Sequence, residues 1–141
     1  MTTNDKGRAG YGNPEERTIL IVDDNDALWD LLNYIVRKEG FKVEKATDGK
    51  EAIDKARILR PGLILLDLMP QAGFETLREL QSDDTADIPI ILLSDRYFNQ
   101  STLELIAQEP NVKAFVKKPI DAPALAALLH KILKTRPPDK S

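Results

Sequence analysis

The sequence of 141 residues has no cysteine. That excludes disulfides, thiolate metal sites and cysteine nucleophiles, and it agrees with a reducing compartment. Nor does it contain an apolar run long enough to span a bilayer, and its start, MTTNDKGRAGYGNPEER, lacks the hydrophobic stretch of a secretion signal. A cytoplasmic protein with no membrane partner is therefore expected, and the NQS at Asn99 to Ser101 reads as a chance glycosylation sequon. A basic surplus is missing too. The formal charge of -3 and pI near 5.2 provide no field for gripping phosphate backbones, so direct nucleic-acid binding is not expected. There is no glycine-rich phosphate loop: the G-x-G at Gly10 to Gly12 neither follows a strand nor opens a helix. The single histidine, His130, falls near the end of the last helical pattern, where its charge would suit the helix dipole.

What is present is an alternation of short apolar runs and helical stripes, in a length that suits one domain with one core. Residues 1–16 and 136–141 are polar or Pro-broken and read as flexible ends, leaving 17–135 as the domain. TILIV (Thr18 to Val22) reads as a strand. Leu28, Leu31, Leu32, Ile35 and Val36 follow at helical spacing, with Gly40 as the stop. FKVEKA alternates like a strand, and Asp48 with Glu51 three residues on resembles a capping box for a helix through about Arg57. LILL (Leu63 to Leu66) is the third strand, with a helix near Phe74 to Gln81. IPIILL (Ile88 to Leu93) is the fourth, with a weaker helix near Gln100 to Gln108. VKAFV (Val112 to Val116) is the fifth, and Asp121 caps a last helix striped by Leu125, Leu128, Leu129, Ile132 and Leu133.

Five βα units with apolar central strands predict an α/β fold, a three-layer αβα sandwich around a five-stranded parallel sheet. Right-handed crossovers then put every strand's C-terminal end on one edge, where open α/β sheets form their ligand crevice. The residues that fall there are Asp23 and Asp24 after the first strand, Asp67 after the third, Ser94 and Asp95 after the fourth, and Lys117, Lys118 and Pro119 after the fifth. Each acid taken singly has an ordinary alternative, since Asp24, Asn25 or Asp26 also suits a helix cap. Three carboxylates converging on one edge repel each other and require a proton or a cation. A few hard oxygen ligands with room for water suit Mg²⁺ better than zinc or a full Ca²⁺ cage.

These residues carry a resemblance. From Arg17 to about Lys134 the chain resembles a receiver domain of two-component response regulators, through ILIVDD, LILLD followed by MP and Gly, IILLS and FVKKP at successive strand ends. The resemblance implies the flavodoxin-like strand order 2-1-3-4-5. It implies that Asp67 is the phosphoacceptor, attacking a phosphohistidine of a sensor histidine kinase or phosphotransfer protein. It implies that Asp24 and Asp67 bind Mg²⁺ directly, Asp23 through water, and that the Met69 backbone carbonyl is a further ligand. Lys118 would clamp one phosphoryl oxygen and Ser94 hydrogen-bond another, with Ser94 and Phe115 forming the switch that alters the surface around the fourth helix and fifth strand. Lys118–Pro119 is a candidate for the cis bond that the family holds there.

The resemblance also implies a signalling receiver and not a turnover enzyme. Its output would pass through docking of a downstream protein or through a larger assembly, and the fourth-helix to fifth-strand face, where similar receivers pair, would be the place for a homodimer. The sequence departs from the family at two places. The family's usual D-x-x-M-P-x-x-x-G is here D-x-M-P-x-x-G, so Met and Pro come one place early and Gly two. Asp95 follows Ser94, where a small residue is usual. Those departures leave open a second reading, a pseudo-receiver that keeps the fold, does not take up phosphate and acts as a protein-binding module. Trp29 and Tyr34 read as partly packed residues off the main stripe of their helix, and Asp83, Asp84 and Asp87 as a solvated loop.

Overall fold

A computed structural model describes residues 12–68, 72–94 and 100–138. Met69 and Asp95, with Asn99 of the sequon, lie outside the described residues. The elements run β1 (Thr18–Val22), α1 (Asp26–Lys38), β2 (Lys42–Ala46), α2 (Gly49–Leu59), β3 (Leu63–Asp67), α3 (Ala72–Glu79), β4 (Ile90–Ser94), α4 (Gln100–Ala107), β5 (Val112–Lys117) and α5 (Ala122–Leu133). All strand pairs are parallel, in the order β2-β1-β3-β4-β5. The three-layer sandwich and the order expected from the sequence are both present.

The apolar runs explain the layers. Every residue of β3 and β4 is buried, and residues alternate between the two faces of the sheet. Leu20, Val22, Ile64, Leu66, Ile90 and Leu92 pack with Ala52, Ile53, Leu77 and Ile106 on the face covered by α2, α3 and α4. Ile19, Ile21, Leu63, Leu65, Ile91 and Leu93 pack with Leu32, Ile35, Leu125 and Leu129 on the face covered by α1 and α5. Strand β4 begins at Ile90 and not at Ile88. Pro89 has no N–H to give the ladder, and its carbonyl instead accepts from Ile64 N–H at 2.9 Å.

Helix starts follow the side chains that cap them. Asn25 Oδ1 accepts from Leu28 N–H at 3.0 Å, Asp48 Oδ1 from Glu51 N–H at 2.8 Å and Asp121 Oδ1 from Ala124 N–H at 3.1 Å. At α2 the reciprocal bond lands one residue early, with Thr47 N–H donating to Glu51 Oε1 at 2.8 Å. That bond holds the Glu51 carboxyl below the usual carboxylate range.

At the N-terminal end of the strands the two ends of the described chain meet. Residues 14–16 form a 3₁₀ turn, Gly12 bridges Thr135 in parallel, and Arg136 donates to Asn13 Oδ1 at 2.7 Å. Beside this clasp His130 is buried, with Nδ1 2.7 Å from Thr135 Oγ1 and Nε2 2.9 Å from Glu39 Oε1. The helix-dipole reading of His130 thus gives way to a buried polar network with partners on α5's exit and α1's end. The acidic loop also has partners. Arg57 lies 3.3 Å from Asp84 and Arg60 2.9 Å from Asp87, and Arg60 donates to the Asp84 carbonyl.

Candidate functional site

Sheet register brings the first two acids together. Val22 pairs with Leu66 at the last step of the β1–β3 ladder, so the next step sets Asp23 beside Asp67. Both continue the odd-numbered series (Ile19, Ile21; Leu63, Leu65) that faces α1 and α5. Asp24 joins them: one carboxylate oxygen from each of Asp23, Asp24 and Asp67 lies within 4.8 Å of the others. The capping alternative is settled by Asn25, which caps α1 itself. Asp24 remains exposed in the cluster, while Asp23 and Asp67 are 1% and 6% exposed.

Strand β5 supplies the cation. Lys118 N–H donates to the Ser94 carbonyl at 2.8 Å, which fixes the backbone after β5 against the end of β4. The Lys118 ammonium then lies 2.9 Å from Asp67 Oδ1. The Lys118–Pro119 bond is cis. Ser94 is buried at the end of β4, in register with Lys117. Phe115 lies on the other sheet face, half-buried against the α2, α3 and α4 core. The structure therefore gathers Asp23, Asp24, Asp67 and Lys118 at one point, with Ser94 on the adjoining strand end and Phe115 behind the sheet.

Asp23 bears the electrostatic cost of this arrangement. Burial, opposed by the Asn25 hydrogen bond, pushes its carboxyl up to about 6, and the neighbouring charges of Asp67 and Asp24 add to the rise. Asn25 N–H donates to Oδ1 at 2.8 Å, whereas Oδ2 is buried with no hydrogen-bond partner among the described residues. An orphaned carboxylate oxygen beside two other carboxylates could serve in a ligand set for a hard divalent cation, and all-oxygen sets of this size are of the kind that suits Mg²⁺.

Two features of the site were not foreseen in the sequence. Asn25 braces Asp23 through its main chain, and Gly73, at the start of α3, lies against the backbone of Asp67 and Leu68. The second had a signal in the glycine that follows LILLDLMPQA.

A parallel 2-1-3-4-5 sheet with acids and a lysine at the C-terminal strand ends defines the signal-receiver class of α/β domains. Residues 19–130 match the response regulator receiver domain family. The chain belongs to that family, whose members are signalling domains of two-component systems. It is 33% identical over 119 residues to the DNA-binding response regulator MtrA of Mycolicibacterium smegmatis, covering 82% of this chain and 50% of that protein. It is 35% identical over 117 residues to the alkaline phosphatase synthesis transcriptional regulatory protein PhoP of Bacillus subtilis, covering 79% and 48%. The chain thus spans about half the length of the curated relatives it matches.

Among solved structures, the receiver domain of a Pseudomonas aeruginosa sensor histidine kinase superposes with a TM-score of 0.73 at 25% identity, covering 84% of this chain and 98% of that one. That structure has a magnesium ion coordinated in its active site cleft. The receiver domain of a signal transduction histidine kinase from Syntrophus aciditrophicus gives a TM-score of 0.72 at 30% identity, covering 83% and 89%. No helix among the described residues is long and apolar enough to cross a membrane.

Proposed function

We propose that the domain is a phosphorylation-controlled switch in which Asp67 accepts a phosphoryl group from the phosphohistidine of a sensor kinase or phosphotransfer protein. In that step an Asp67 carboxylate oxygen forms a bond to phosphorus as the phosphorus–nitrogen bond breaks, and the electron pair leaves on the imidazole. The observation that carries the reading is the Lys118 ammonium 2.9 Å from buried Asp67, beside two more carboxylates. Phosphoryl transfer asks mainly for positioning and for stabilisation of charge on the moving oxygens. Asp23, Asp24 and Asp67 would hold Mg²⁺, with the Met69 carbonyl as a further ligand. Bound there, Mg²⁺ supplies a positive charge against the phosphoryl oxygens. Lys118 supplies a second, and its link to the Ser94 carbonyl keeps it aimed at Asp67. The Ser94 hydroxyl would hydrogen-bond a phosphoryl oxygen and, with Phe115, pass the change to the α4–β5 surface. Output follows through contact with a downstream protein, or in a longer chain through a DNA-binding partner domain such as the names of MtrA and its kin suggest.

Incubation with Mg²⁺ and acetyl phosphate is expected to add one acid-labile phosphate to the wild type and none to Asp67→Asn. Equal absence from both would overturn the reading. The short β3–α3 connection favours one competitor, a pseudo-receiver. It predicts that Mg²⁺ gives no saturable change in Trp29 fluorescence, whereas the switch predicts one.

A further inference from the structure

We infer that Gly73 is a positioning residue for the phosphoacceptor: its missing side chain lets α3 abut the end of β3 and hold the Asp67 backbone in place. The inference rests on the proposed role of Asp67 and deepens it. A Cβ built on Gly73 would lie 2.7 Å from Leu68 Cα, 3.1 Å from the Leu68 carbonyl carbon and 3.2 Å from the Asp67 carbonyl oxygen. All three are backbone atoms, so no flexible side chain can swing away.

The other side of this peptide is fixed as well. Leu68 N–H donates to the Leu93 carbonyl of β4 at 2.8 Å, and the Leu68 side chain is buried in the core. The Asp67–Leu68 peptide is therefore clamped between β4 and the first turn of α3. The helix cannot easily retreat either. Leu77 anchors it in the core, Leu80 just beyond it is fully buried, and Gly49 of α2 presses so closely on Thr76 that a Cβ there would strike the threonine hydroxyl. With α3 held on both sides, a side chain at position 73 moves the strand end that carries Asp67. The early glycine of D-x-M-P-x-x-G thus has a physical task, closing a connection two residues shorter than usual. Mg²⁺ tolerates little distortion of its ligands, and misplacement by about 1 Å is enough to cost about a hundredfold in a transfer step.

The test compares Gly73→Ala with Gly49→Ala, which crowds α3 from its other side without touching Asp67. Three quantities are measured: thermal midpoint, Mg²⁺ affinity by calorimetry, and the rate of phosphate uptake from acetyl phosphate at saturating Mg²⁺. Gly73→Ala is expected to weaken Mg²⁺ binding about fivefold or more and slow uptake about tenfold or more, with Gly49→Ala within about twofold of wild type in both. Wild-type behaviour of Gly73→Ala, or equal losses in the two variants, would overturn the inference. If Gly73→Ala does not fold, one glycine inserted after Gln71 gives α3 slack and should restore folding and Mg²⁺ binding. Failure of that double variant in either respect counts against the inference. A wild type that binds Mg²⁺ but takes up no phosphate would sink the switch reading, while the Mg²⁺ measurement still decides the role of Gly73.

Discussion

Asp23 shows how a single side chain can be costly to the fold and useful to the site. Its carboxyl is raised from 3.8 to about 6, first by burial and then by the neighbouring acids, against the Asn25 hydrogen bond. A folded-state value above the unfolded one means that the fold binds this proton more tightly, so the acid costs nothing below about pH 4 and destabilises progressively as pH rises through about 6. A rise of that size corresponds to at most about 3 kcal/mol. The metal-free Asp23→Asn variant should therefore be more stable than wild type at pH 7.5, by about 1–3 kcal/mol. It keeps an oxygen for Asn25 N–H, loses the stability slope between pH 4 and 6, and gains less than wild type from added Mg²⁺. Urea unfolding at pH 4 and 7.5, with and without Mg²⁺, checks all of these, and a variant less stable at pH 7.5 would refute the account. Asp24, exposed in the same cluster, carries no comparable burial, and Asp24→Asn should leave metal-free stability within about 0.5 kcal/mol.

At the scale of elements, two helices end on left-handed residues that are not glycine, Arg60 after α2 with φ 48° and Lys134 after α5 with φ 54°. An L-residue pays about 1–2 kcal/mol there, part of which glycine returns through its freer unfolded chain. Lys134 contributes main-chain bonds that glycine keeps, its N–H to the His130 carbonyl and its carbonyl accepting from Gly12 N–H at 2.8 Å, so Lys134→Gly should stabilise by about 0.5–1 kcal/mol in urea titration. Arg60→Gly gains the same relief but loses two bonds to Asp87 and one to the Asp84 carbonyl. Half-exposed pairs of that kind are worth a few tenths each, and its net change should lie near zero.

The contrast marks what the sequence could disclose. Caps at Asp48 and Asp121, the buried runs of β3 and β4 and the acids at their ends are local patterns, legible within a few residues. Arg60 meets Asp87 across 27 residues of separation, and His130 meets Glu39 across 91. No periodicity encodes such pairings. His130 looked like a helix-end charge because its burial depends on Phe41, whose ring lies 5.0 Å away from another part of the chain. The gathering of Asp23 and Asp67 on one edge was legible because the βα alternation puts all C-terminal strand ends together, whereas the strand order that sets β1 beside β3 came from the family resemblance. The tight seat of Gly73 was not, since it depends on how far α3 advances toward β4.

The whole molecule keeps chemistry and closure at opposite ends of the sheet. The acids and Lys118 occupy the C-terminal strand ends, and the clasp of residues 12–14 with 134–136 occupies the N-terminal ends, about 17 Å away along a five-residue strand. The clasp is built from the Gly12–Lys134 and Arg136–Gly12 main-chain bonds and the Arg136–Asn13 bond. Pro14 lies over Gly40, where a Cβ would strike its ring at 2.9 Å. Removing residues 1–16 deletes all of these. Partly exposed hydrogen bonds contribute about 0.5–1 kcal/mol each, and uncovering buried Pro14's site adds apolar exposure, so the truncated chain should lose about 1–3 kcal/mol. For a domain of this size that lowers the thermal midpoint by about 3–10 °C. His130→Ala should cost more, about 2–4 kcal/mol, because it strands the buried Thr135 hydroxyl and the Glu39 carboxylate as well as opening a cavity beside Phe41. Neither change touches β1's far end, so both variants, while folded, should bind Mg²⁺ and take up phosphate on Asp67 within about twofold of wild type. Calorimetry and phosphate incorporation at 15 °C separate the two ends, and a folded truncated chain with weakened Mg²⁺ binding would show that the clasp and the acidic rim are coupled through the sheet.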